Sequence, residues 1–158
     1  MLVSLFIALS FLGGYIKFFG SIALDSFPAF LGTLLLGPTY GMIIALIGHL
    51  FSAFLSGFPL TLPIHLIVGV MMMLTMFVYG NVRQKYSDNM ISVVASVLIA
   101  LVFNTVIASL PLIPLLGFNV ILAMMIPLVA ASLVNILVAE MVYRVLPANF
   151  VARIGLNK

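Results

Sequence analysis

Long apolar runs, cut at intervals by glycine and proline, organise this chain. They cover residues 2–19, 29–36, 40–55, 64–81, 90–110 and 119–145. A helix needs roughly 20 apolar residues to cross a bilayer, and most of these runs approach or exceed that length. The second run is short and barely spans even when counted from residue 22. Its flanks carry the punctuation "FGSIALDSFP" (19–28) and "GPTYG" (37–41), the latter a strong turn signal. "SGFPLTLP" (56–63) makes the next turn, and "PLIPLLGF" (111–118) forms an apolar, proline-rich connection. Only "NVRQKYSDN" (81–89) reads as a hydrophilic loop. The pattern predicts an all-α membrane protein, a bundle of six transmembrane helices with a short second helix. Residues 1–158 form a single transmembrane domain in this reading.

Composition sharpens the class. Of 158 residues, 65% are hydrophobic and 6% charged, and the mean hydropathy is +1.42. A soluble domain carries about a quarter charged residues, so this chain has no polar coat to dissolve it. The lipid bilayer is its expected solvent. The opening "MLVSLFIALSF" lacks the basic n-region of a secretory signal and reads as a retained first helix. The absence of cysteine excludes disulfides, thiolate chemistry and cysteine-based metal sites.

The net charge of +3 informs orientation rather than a nucleic-acid partner, since no basic cluster with interleaved aromatics occurs. With six crossings, both termini and the 81–89 loop share one side. That side carries Arg83, Lys85, Arg144, Arg153 and Lys158, against Lys17 alone on the other. Lys and Arg in short loops favour the cytoplasm, so both termini are expected there. The expected location is a bacterial cytoplasmic membrane.

Enzymatic chemistry has little support. No lysine follows a glycine, so a GK[ST] phosphate loop cannot form, and there is no HExxH. Asp25, Asp88 and Glu140 are too scattered for an acid–base pair. No cofactor is implied. What remains is a set of polar groups inside apolar helices, where they are costly and tend to face a bundle interior or cavity. Asn104 and Asn135 lie midway along the fifth and sixth helices. Each sits in a stripe of small residues: Ser92, Ser96, Ala100, Asn104 and Ala108 in one, Ala131, Asn135 and Ala139 in the other. Each asparagine either glues helices together or faces a ligand. Lys17 and Asp25 flank the first break, as a self-neutralising interfacial pair or as ligand contacts. Glu140 and Arg144, four apart, suit an i, i+4 ion pair.

His49 and His65 are the only histidines and bracket Gly57 at eight residues each. On two antiparallel helices this places both up to roughly 12 Å below the turn, at 1.5 Å per residue. Zinc normally takes three or four protein ligands, which argues against a metal. The imidazoles either pack or offer a donor and an acceptor to a ligand. Phe51, Phe54 and Phe58 gather near the same turn, and Tyr15, Phe18 and Phe27 near the first break. Aromatic walls with a few convergent polar groups suit a flat, polar-edged small molecule; lipid or core contact is the other reading of these rings.

The chain resembles the substrate-binding S component of energy-coupling factor (ECF) vitamin transporters. The likeness runs over nearly its whole length, through the six segments and "LGPTYGMIIALIGHLFSAFLSGFPL". Within that group, "GSIALDSFPAFLGTLLLGP" and "GHLFSAFLSGFPLTLPIHL" look most like members for α-ribazole, a benzimidazole nucleoside of cobamide salvage. The resemblance implies a pocket near the outer face for a vitamin precursor. It also implies two kinds of partner, a transmembrane coupling subunit and two ATPase subunits. For α-ribazole, Phe58 or Tyr15 would stack on the benzimidazole, and Asp25 with an asparagine would hold ribose hydroxyls. His49 or His65 would bond a ring nitrogen or hydroxyl. The family's AxxxA-like docking motif on helix one has its nearest match in Ser4-xxx-Ala8, with Gly13 and Gly14 as a second small patch. Two rivals remain open, a stand-alone proton-coupled carrier using its histidines and a purely structural membrane subunit.

Overall fold

Glycine and proline set where the helices start and stop. In the computed structural model, which describes residues 1–15, 17–18, 22–85 and 89–154, helix α1 (Leu2–Gly13) ends as the chain turns at Gly14. Of residues 17, 18 and 22 only the backbone is described. They belong to two two-residue strands, β1 (Lys17–Phe18) and β2 (Ile22–Ala23), paired antiparallel with Lys17 opposite Ala23. Helix α2 (Phe27–Leu36) carries Pro28 in its first turn and stops at Gly37, whose φ of 99° no ordinary side chain tolerates well. Gly37 also starts α3 (Pro38–Leu55), again with proline at the entry. Helix α4 (Leu62–Lys85) follows the turn at Gly57.

Helix α5 (Met90–Val102) opens on Asn89, whose side chain accepts the Ser92 N–H at 2.8 Å. It passes without a break through a π-helical stretch (Phe103–Ile107), a 3₁₀ turn (Leu110–Leu112) and α6 (Ile113–Leu116). Gly117 then reverses the chain into α7 (Phe118–Val145), and α8 (Ala148–Ile154) closes it.

Among the described residues, four runs are long and apolar enough to cross a membrane: α3, α4, Met90–Leu116 and α7. The expected six crossings reduce to these four membrane-length helices and two short ones. Helices α1 and α2 have 12 and 10 residues, about 18 and 15 Å at 1.5 Å per residue, against a hydrocarbon core of roughly 30 Å. The expected first helix over 2–19 thus gives way to a helix and a hairpin. The segment 111–116, expected as a connection, is helical because Pro111 and Pro114 each fall in the first turn of a new helical stretch.

Contacts at small residues reveal the packing order. Gly48 on α3 meets Ser10, and Gly14 meets Ser52. The constant offset of 38 residues (48 − 10 and 52 − 14) means that α1 and α3 run parallel. Helix α2 folds back against α3, with Gly41 under Thr33 and Gly32 against Ile44. Helix α4 is antiparallel to α3, since Gly80 abuts Pro38 while His65 meets His49. The start of α1 and the end of α7 accordingly fall at one end of the bundle. The Gly57 and Gly117 turns mark the other, called the far end below.

The core lies around α2. Phe30 and Tyr79 are fully buried and meet edge to face at 5.4 Å between centroids, with Leu36, Ile44, Met76, Ile136 and Ala139 about them. A second, smaller cluster joins Ile64, Leu112 and Ile121 near the far end.

The α2–α3 seam depends on close backbone approach. A Cβ at Gly41 would stand 1.9 Å from Thr33 Oγ1 and 3.0 Å from the Thr33 Cα. Neither neighbour is a flexible chain end. Gly41→Ala is expected to cost about 1–3 kcal/mol, as overpacking does, read as a lowered Tm in detergent.

Candidate functional site

The first feature of the candidate site is a break in helical structure at bundle depth. The chain leaves α1 at Gly13, makes the β1–β2 hairpin and comes back so closely that the Leu24 N–H bonds the Gly13 carbonyl at 3.2 Å. A Cβ at Gly13 would lie 2.3 Å from the Leu24 carbonyl oxygen, so glycine alone permits this return. Residues 23–27 then descend, non-helical up to the start of α2, into the bundle.

Asn135 receives them. Its Oδ1 accepts the Phe27 N–H at 2.6 Å, and its Nδ2 donates to the Ala23 carbonyl at 2.7 Å and the Ala131 carbonyl at 2.8 Å. One carboxamide thus pairs an otherwise stranded donor and acceptor of the entering chain. Asn135 lies 17 residues into α7, so α2 begins about 26 Å along that helix, well inside the bundle. Pro28, next in line, has no N–H to satisfy.

Asp25 sits in this segment, part-buried, at the start of α2. Its Oδ1 accepts a long bond from Ser26 Oγ at 3.3 Å. A helix N-terminus favours a nearby carboxylate.

The two histidines do meet. His65 Nδ1 and His49 Nε2 are 3.2 Å apart, with ring centroids at 5.3 Å. The antiparallel α3–α4 hairpin brings them level, as the equal spacing about Gly57 requires. Phe58 leans on His65 at 5.8 Å between centroids and on Phe54 at 6.1 Å. Phe58 and Thr61 both adopt positive φ, 48° and 80°. Such backbone is uncommon outside glycine, and it folds the 58–61 turn so that the Phe58 ring faces His65.

Two neutral imidazoles share one hydrogen between them. When His65 Nδ1 donates it, His65 Nε2 is a bare acceptor; when Nδ1 accepts it, Nε2 carries the proton. That Nε2 is buried and has no hydrogen-bond partner among the described residues. Ser10 Oγ, on α1 against Gly48, is likewise buried without a partner among the described residues. Buried polar atoms are rarely left unpaired, so each orphan calls for an explanation.

The remaining expected site residues divide differently. Asn104 lies in the π-helical stretch, a form frequent at functional sites, and donates to Ser132 Oγ at 2.7 Å. It joins the α5 line to α7, the helix-gluing role. Tyr15 is largely exposed and packs edge to face on Phe11, which in turn meets Phe51, away from the histidines. Ser4 and Ala8 are exposed on α1, whereas Gly13 and Gly14 are buried against Leu24 and Ser52. The side chain of Lys17 lies outside the described residues, as do Asp88 and Lys158.

One cluster escaped the sequence reading. Glu140 does not pair with Arg144 on its own helix. Arg83 of α4 grips both its oxygens, Nε at 3.0 Å and Nη2 at 3.3 Å, and Tyr79 Oη donates to it at 2.6 Å. All three are buried. Tyr79 and Arg83 are four apart on α4, which puts both on the face turned to α7. That spacing was the available signal; the partner helix was not legible. A buried charge needs this pairing, so the cross-helix bond prevails over the local one.

Residues 1–147 match the family model described as ECF transporter, substrate-specific component. The chain belongs to this family. No curated protein and no solved structure matched it. A substrate-specific component is a transporter subunit rather than an enzyme. It selects a small molecule for a module that a coupling subunit and ATPases complete, which agrees with a chain that has no phosphate loop. Its apolar helices make this S component a multi-pass membrane protein.

Two substitutions separate the entering segment from the rest of the bundle. Asn135→Leu strands Phe27 N–H and Ala23 C=O, at about 1–3 kcal/mol for each unpaired group. It should lower Tm and speed amide exchange over residues 23–27. Glu140→Ala removes the carboxylate that Arg83 and Tyr79 both hold, should cost about 3–5 kcal/mol, and should leave exchange at 23–27 slow. Exchange-coupled mass spectrometry reads both outcomes. Wild-type exchange at 23–27 in Asn135→Leu would remove Asn135 from its clamping role.

Proposed function

We propose that this S component captures α-ribazole, or a closely related benzimidazole nucleoside precursor of cobamides, between the 23–27 segment and the His49–His65–Phe58 cluster. The observation that carries the reading is the buried, unpartnered His65 Nε2 beside an aromatic ring. A benzimidazole nucleoside offers a flat apolar surface, one ring nitrogen that accepts, and ribose hydroxyls that donate and accept. Phe58 supplies the stacking face. The shared proton of the histidine pair lets His65 Nε2 donate to a ring nitrogen or accept from a hydroxyl. Asp25 takes ribose hydroxyls.

Asn104 and Asn135 act in this scheme as frame rather than as first contacts. Asn135 has both amide hydrogens engaged. Tyr15 and Lys17 belong to the rim, where α1 passes into the hairpin. The far end faces the exterior of a bacterial cell and both termini face the cytoplasm. The support is the distribution of basic residues, five at the terminus-bearing end against Lys17. Docking to the coupling subunit uses the exposed face of α1 at Ser4 and Ala8, where small residues permit close helix approach.

Calorimetry on the purified chain tests the substrate. α-Ribazole should bind with measurable heat, and His65→Phe, which keeps a flat ring but removes the nitrogen, should weaken binding at least about tenfold, the usual effect of leaving one polar contact unpaired. No heat with α-ribazole, together with tight binding of a different vitamin, would overturn the substrate and leave the family assignment standing.

A further inference from the structure

A second site lies at the opposite end from the histidines. The start of α5 and the end of α7 enclose a slot of about 280 Å³, walled by Val94, Leu98, Leu137 and Met141 and bounded by Met90 and Arg144. We propose that this slot binds one anionic phospholipid, its phosphate on Arg144 and one acyl chain between the two helices.

Three observations support an amphiphile here. Met90 is the first residue of α5 and Arg144 the last but one of α7, so the cation stands at the polar end of the slot. The apolar walls run inward from there over about 12 Å, the rise from Met90 to Leu98. Arg144 is exposed and makes no ion pair among the described residues. Glu140 also touches the slot, but its carboxylate is buried and held on both oxygens by Arg83. Its charge is thereby neutralised, and the guanidinium of Arg144 keeps its own.

Charge selects the headgroup. A phosphate with no compensating cation matches Arg144, whereas a choline headgroup would bring a second cation to it. Basic pockets between transmembrane helices near the cytoplasmic surface take anionic lipid headgroups for this reason. A partner helix fits the slot less well. The residues along it are large and exposed, Leu98 at 55% and Met141 at 66%, and close helix packing in a bilayer prefers small ones. The small exposed face is on α1, at Ser4 and Ala8.

The test uses the full chain, delipidated in mild detergent and incubated with phosphatidylglycerol and phosphatidylcholine of identical acyl chains, read by native mass spectrometry. The wild type should retain one phosphatidylglycerol with a preference of about fivefold, the contribution of one basic residue near a membrane surface. Arg144→Gln should abolish the preference and Arg144→Lys restore most of it. Val94→Trp, which fills the slot, should reduce retention of both lipids. Undiminished preference in Arg144→Gln would overturn the proposal, as would an equal loss in Arg153→Gln, a charge outside the slot. Undiminished lipid retention in Arg144→Gln with lost binding to the coupling subunit would overturn it in favour of a protein occupant.

Discussion

Unpaired backbone is the costliest thing a chain can bring into a bilayer, and the bundle is arranged around one place where helix is interrupted. Residues 23–26 enter the interior without a helix of their own, and Phe27 opens α2 with its N–H unpaired by the helix. Asn135 supplies the missing partner, bonding the Phe27 N–H and the Ala23 carbonyl. From that tie follow the depth at which α2 begins, the burial of Phe30 against Tyr79 and the position of Asp25 at the head of α2. A shorter or apolar side chain at 135 would leave the entering strand without partners, and α2 would lose its anchor.

The polar groups of the interior fall into two kinds. Asn135, Asn104, Thr33, Thr75, Thr105 and Ser109 all have bonds to neighbouring chain or side-chain groups, and they hold the frame. His65 Nε2 and Ser10 Oγ have none among the described residues. Under the function proposed above, those atoms form a reserve for the substrate while the bonded groups keep the frame rigid. Reserve atoms are costly only while the site is empty. The same logic separates the charges at the other end, where Glu140 and Arg83 neutralise each other inside the bundle and Arg144 remains at the surface.

Much of the architecture was legible in the pattern of apolar runs. α2, α3, α4, α5 and α7 start within about two residues of where glycine, proline and the polar loop place them, and the membrane class follows from hydropathy alone. The equal spacing of His49 and His65 about Gly57 placed them at one depth, and their 3.2 Å contact follows from the antiparallel hairpin. Where the reading failed, the cause was local. Residues 2–19 do carry a turn-type pair, Gly13–Gly14, but the apolar run continues past it to Phe19 and masked the end of the helix at Gly13.

Sequence by itself determined the solvent, the helical class, the absence of phosphate-loop chemistry and the list of polar residues that had to be explained. Those properties depend on composition and short-range spacing, which a chain carries before it folds. Tertiary structure alone decided which polar residue meets which. Glu140 chose Arg83 over Arg144, Asn135 turned to the 23–27 segment, and Tyr15 stayed outside. Each of these is a contact between segments distant in the chain, decided by competition for partners in a medium that supplies none.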